Sequence, residues 1–129
     1  MKVFISVPMR GLTNQQIDDE IELVCKIAHA YFPLTKLEFV CNFETEPEEP
    51  DENVKHESIW HLGEALKCLS TCDAIMCPDN NYFRDEYLNG CMCEESTALA
   101  YGIPIYNYDL KVLDEFLKGD FHDEHNTED

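Results

Sequence analysis

The sequence predicts an α/β domain in which a parallel sheet lies between two layers of helices. Three observations carry that expectation. Short β-branched and aromatic runs alternate with longer stretches whose apolar residues recur every three or four positions. One short run, Ala74-Ile75-Met76-Cys77, is continuously apolar, the pattern of a strand buried on both faces. Proline- and glycine-bearing turns punctuate the boundaries, as at Pro8, Pro33, Pro78-Asp79 and Gly102. The order β-α-β-α-β-α-β-α then implies a three-layer sandwich around a parallel sheet of four or five strands.

Each element has its own justification. Lys2 to Val7 is the first strand, ended by Pro8, which cannot continue a ladder. Gly11 in the following loop suits an unusual backbone angle or a close ligand, and Thr13 or Asn14 can cap the next helix. Ile17, Ile21, Val24, Cys25 and Ala28 sit at helical spacing, so Asn14 to about Tyr31 forms an amphipathic helix. Leu37 to Phe43 is the second strand. The unbroken Glu46 to Glu52 run of acids and prolines marks an exposed loop, and Ile59, Trp60, Leu62, Leu66 and Leu69 place a helix over His56 to Leu69. After the third strand, Ala74 to Cys77, a polar connection reaches Leu88-Asn89-Gly90, which breaks the chain before an Ala- and Leu-rich helix that runs to Tyr101 and is ended by Gly102. Ile103 to Tyr108 is the fourth strand, and Leu110 to Leu117 a terminal helix. The domain thus occupies 1–119, followed by an acidic tail, 120–129.

Composition narrows the function. A chain of 129 residues holds one core. Its net charge of −18 disfavours nucleic acid polymers and anionic membranes as partners, and no apolar run approaches the roughly 20 residues of a membrane span. No secretion signal is read at the N-terminus. The seven cysteines are odd in number, unpaired in spacing and mostly inside apolar runs, so they read as reduced, buried residues of a cytoplasmic protein. No metal and no cofactor is expected; His122 and His125 lie in the polar tail.

The chemistry-bearing stretch is Asp73 to Pro104. Glu94 is expected in the first turn of its helix, where the helix dipole and free N–H groups keep it ionised, a candidate nucleophile or electrostatic stabiliser. The alternative is that Glu94 and Glu95 only complement the dipole. Ligands of open α/β sheets bind at the carboxyl ends of strands. Asp79, Tyr82, Arg84, Asp85 and Tyr87 are therefore pocket candidates, as are Ser6, Pro8, Met9, Arg10 and Gly11 after the first strand and Asn89 and Gly90 before Glu94.

The opening Phe4-Ile5-Ser6-Val7-Pro8-Met9-Arg10-Gly11, the run Cys72-Asp73-Ala74-Ile75, and Gly90-Cys91-x-x-Glu94-x-x-x-Ala98 followed by Gly102-Ile103-Pro104 resemble, in order and spacing, the nucleoside 2-deoxyribosyltransferase superfamily. The likeness is to its small phage and bacterial relatives and to the 2'-deoxynucleoside 5'-phosphate N-hydrolases, and it covers Lys2 to about Tyr108. It implies a doubly wound Rossmann-like or flavodoxin-like fold, subunits that complete one another's pockets in a homo-oligomer, and cleavage or transfer at an N-glycosidic bond. On this likeness Glu94 is the nucleophile and Arg10 a phosphate ligand. Two positions depart from the pattern. Where the family has an aspartate that helps protonate the leaving base this chain has Ala65, with Glu64 one residue earlier. Where it has serine or aspartate six residues before the nucleophile this chain has Leu88, with Asn89 beside it. Glu64 or Asp79 would then be the acid/base.

Three functions follow as expectations: a nucleoside or nucleotide N-glycosidase or deoxyribosyltransferase; a catalytically inactive protein that sequesters a nucleotide or nucleotide-derived signal; and an acidic protein-interaction module, for which the two acidic segments speak.

Overall fold

A computed structural model of the chain describes residues 1–9, 11–41, 50–79, 89–109, 111, 112 and 115. Within them the elements run β1 (Lys2–Ile5), α1 (Asn14–Tyr31), β2 (Glu38–Val40), α2 (Glu57–Leu69), β3 (Ala74–Pro78), α3 (Asn89–Ala100) and β4 (Ile105–Tyr108). The four strands form one sheet in the order β2-β1-β3-β4, and every neighbouring pair is parallel. This is an α/β sandwich of the Rossmann-like and flavodoxin-like kind.

Alternation along the strands divides the core between the two faces. Val3 and Ile5 of β1 and Met76 of β3 point to one face, where Ile17, Ile21, Val24 and Ala28 of α1 cover them. Phe4, Ile75 and Cys77 point to the other, under Ala65 and Leu69 of α2 and Ala98 of α3. Full burial of each large side chain contributes about 1.5–3 kcal/mol, so the middle strands, closed on both faces, anchor the domain.

Local chemistry sets the boundaries. Helix α1 begins at a capping box: Thr13 Oγ1 accepts from the Gln16 N–H at 3.1 Å, and Gln16 Oε1 accepts from the Thr13 N–H at 2.9 Å. Helix α3 ends where Gly102 takes φ +75°, a left-handed angle that a residue with a Cβ resists. Strand β1 is shorter than expected, yet the Ser6 N–H still donates to the Met76 carbonyl at 2.9 Å, so Ser6 is fixed against β3. Lys111, Val112 and Glu115 are helical, within the expected terminal helix; the rest of it, the tail and most of the acidic run, 42–49, lie outside the described residues. Among the described residues no helix is long and apolar enough to cross a membrane.

One expectation changes in a way that matters for the site. Leu88-Asn89-Gly90 does not hold the helix off until Cys91: Asn89 and Gly90 are already helical, which puts Glu94 in the second turn. It therefore lies beyond the free N–H groups of a helix start.

Candidate active site

Strand order places a topological switch point between β1 and β3. From β1 the chain moves to one side of the sheet through α1, and from β3 to the other side through α3. The carboxyl end of β1 continues there as Ser6-Val7-Pro8-Met9, and a cavity of about 180 Å³ opens against it. Three further elements complete the wall. Ser58, His61, Leu62 and Ala65 form one stripe of α2, Gly90, Cys91 and Glu94 come from α3, and Cys41 follows β2.

Glu94 is the carboxylate of this wall. It is only 9% exposed, and its Oε1 accepts a 2.6 Å hydrogen bond from Ser6 Oγ, itself buried. Ser6 is held from behind, because the Tyr108 hydroxyl donates to the Ser6 carbonyl at 2.6 Å. Burial pushes the Glu94 carboxyl up to about 7, and the Ser6 hydrogen bond only partly opposes that rise. The expectation of a carboxylate kept ionised by the helix start is thus corrected: desolvation outweighs a dipole whose positive end is more than a turn away. Neighbouring groups follow the same physics. Burial, then the charge of Glu94, pushes the Cys91 thiol up to about 12, against its hydrogen bond with Ser6. Burial drives Cys77 and Tyr108 upward as well, so Tyr108 remains a protonated donor.

The cavity brings together Ser6, Pro8, Met9, Gly90 and Glu94 of the residues singled out in the sequence. Gly11 has the expected unusual backbone angle, φ +79°, in an exposed turn after Met9, and Asn89 is exposed at the start of α3; neither lines the wall. Asp79 follows β3 with its N–H bonded to the Tyr108 carbonyl at 2.8 Å, and it too is off the wall. Glu64 points its carboxylate at Lys67 Nζ, 3.0 Å away, while Ala65 occupies the wall position. One residue on a helix turns a side chain by about 100°, and α2 is in the register that faces Ala65 inward. Glu64 is therefore no acid/base candidate in this geometry. Arg10, Tyr82, Arg84, Asp85 and Tyr87 lie outside the described residues.

Among the wall residues outside that expectation, Cys41, Ser58, His61 and Cys91 carry polar or thiol groups. A sequence signal for two of them exists, since Ser58, His61, Leu62 and Ala65 fall on the i, i+3, i+4, i+7 stripe that continues to Leu69. The stripe turns polar toward the start of α2, at the end of the sheet where ligands bind.

A second depression, about 350 Å³, lies between the end of α1 and the end of β4, lined by Ile27, Ala30, Tyr31, Asn107, Tyr108 and Asp109. It is larger but more open, and holds no buried carboxylate. Among the described residues no cluster of three His, Cys, Asp or Glu side chains is arranged to hold a metal ion. Comparison with protein-family models, curated proteins and solved structures finds no match to this chain.

Proposed function

We propose that the protein cleaves or transfers at the N-glycosidic bond of a nucleoside or nucleotide, with Glu94 as the nucleophile. The observation that carries this reading is a buried glutamate, held by Ser6 at 2.6 Å, in the wall of a small cavity at the carboxyl end of a parallel sheet. The resemblance in the motifs around Ser6, Asp73 and Glu94 supports it. Ser6 holds Oε1 and orients the carboxylate, and Oε2 is the oxygen that attacks the anomeric carbon, giving a glycosyl ester that water or an acceptor base resolves. A carboxylate with little water to shed is well suited to that step, and above about pH 7 Glu94 is mostly ionised.

The cavity, about 180 Å³, is smaller than the roughly 300–1,000 Å³ of drug-sized pockets. It matches the sugar end of such a ligand, with the remainder reaching toward the open side. A second subunit covering that side, a phosphate held by Arg10, and a cytoplasmic location are parts of the same proposal.

The test is a panel of the four common 2'-deoxynucleosides and their 5'-monophosphates, read for bound ligand and for released base. Base release by the wild type and a loss of at least about a thousandfold in Glu94→Gln is the expected result. Unchanged turnover in Glu94→Gln would remove the nucleophile assignment. A second reading, sequestration without turnover, is favoured by Ala65, which leaves a methyl group at the wall position where the resemblance calls for an acid. It is recognised by ligand that is retained intact.

A further inference from the structure

The leaving base of an N-glycoside needs a proton, and the wall offers few groups to give one. Rested on the glycosidase reading, the question is which residue protonates the base once Glu94 attacks. Glu64 is bound to Lys67, and Ala65 has no proton to give. Cys91 is a buried thiol pushed far up by desolvation and by Glu94, Cys41 is buried in the apolar core, and the Ser6 hydroxyl, committed to Glu94, and the Ser58 hydroxyl are too weak as acids. His61 remains among the described wall residues. It stands one helical turn before Ala65 on the same face of α2, so a side chain longer than an aspartate reaches the same space from the adjoining turn. The imidazole is half-buried, which leaves it a path to solvent for reloading its proton. Its ring also packs edge-on against Trp60, with centroids 5.2 Å apart and planes at 85°, a contact that restricts its orientation.

We infer that His61 is the acid/base catalyst of this site, acting from α2 on the leaving group while Glu94 acts from α3 on the sugar. In the first step Oε2 of the Glu94 carboxylate forms a bond to the anomeric carbon, and the carbon–nitrogen bond breaks with its electron pair going to the base. The His61 imidazolium transfers its proton to that base. In the second step the neutral imidazole takes a proton from water as the water oxygen bonds to the anomeric carbon. The ester bond to Glu94 breaks, and the carboxylate and the imidazolium are restored. Imidazole is the side chain suited to both directions of transfer near neutral pH.

The experiment compares 2'-deoxyguanosine with 7-methyl-2'-deoxyguanosine, whose base is already cationic and departs without taking up a proton. In His61→Ala and the more conservative His61→Gln, kcat/KM for 2'-deoxyguanosine falls by about 10²–10⁴-fold, while the methylated substrate loses less than threefold. Glu94→Gln loses both. Equal losses on the two substrates, or no loss on either, in variants with wild-type circular dichroism overturn the assignment of His61 and leave that of Glu94 standing. Retained activity in Glu94→Gln removes the nucleophile assignment and the division of labour between Glu94 and His61, and a wild type inert toward both substrates and toward the panel of 2'-deoxynucleosides and 5'-monophosphates overturns the glycosidase reading and the role of His61 with it.

Discussion

Helices α1 and α3 each bury a glutamate near the same sheet, Glu20 at 1% and Glu94 at 9% exposure, yet they are built on different principles. Helix α1 has 18 residues, a capping box and an apolar stripe from Ile17 to Ala28. Helix α3 has 12 residues, and its buried positions, Cys91, Glu94 and Ala98, keep helical spacing with a carboxylate in the middle of the stripe. Near its carboxyl end Leu99, and Tyr101 just beyond it, are 74% and 81% exposed. The first helix carries an unbroken apolar stripe around Glu20, and the second sets Glu94 in the wall of the cavity. At Glu94 burial is tolerated because Ser6 meets one oxygen and the carboxylate borders a cavity.

The largest expected effect breaks α1. Ile21→Ala removes a side chain that is 5% exposed and leaves a cavity under the sheet, costing about 2–5 kcal/mol by urea unfolding. That loss is the same at pH 5 and pH 8, since no titrating group is removed. A loss that changed steeply with pH would mean that α1 and the site are one unit.

The next effect separates α3 from α1 by its pH dependence. A carboxyl raised from 4.5 to about 7 binds its proton more tightly in the folded state. Between those values the folded protein holds a proton that the unfolded chain has released, so Glu94 lowers stability progressively as pH rises from 4.5 to 7 and by a constant amount above. The total is about 3 kcal/mol. Glu94→Gln lacks this loss, so its stability relative to the wild type grows by about that amount between pH 4.5 and 8. Urea curves at both pH values measure it, and a difference that stays flat would show a hydrated, ordinary carboxylate at 94.

The smallest effect sharpens the stability side. Thr13→Ala removes the side-chain half of the α1 cap and costs about 1 kcal/mol, with no change in the pH dependence that belongs to Glu94. A thermal melt detects it, and a cost near zero would mean that tertiary packing alone holds the start of α1.

The same contrast explains what could be read from the sequence. Helix α1, Asn14–Tyr31, is legible at both ends because propensity, capping and the apolar period agree there. Strand β3 is legible because burial on both faces demands an unbroken apolar run. Glu94 and Ser6 could be singled out by their place at strand ends, but their contact joins residues 88 positions apart, which no local pattern encodes. The ionisation of Glu94 is not legible in the sequence, because the start of α3 at Asn89 sets its distance from the free N–H groups and the turn-like Asn89-Gly90 pair hides that start. Glu64 and Ala65 are neighbours in sequence that face different surroundings, and only the register of α2 against the sheet decides which looks inward. A histidine between Trp60 and Leu62 belongs to no motif, so nothing local singles out His61; its place on the wall comes from the stripe it shares with Ala65.

The hydrogen bonds around Ser6 also tie the site to the making of the domain. Ser6 meets Glu94 across 88 residues and Tyr108 across 102, so the two contacts that orient the carboxylate close nearly the whole chain into loops. The entropy of closing a loop grows only slowly with its length, and the strand pairs between these residues close smaller loops. A ribosome must therefore release the chain past Tyr108 before Ser6 has both partners. The orientation of Glu94 thus depends on a sheet that is complete out to β4.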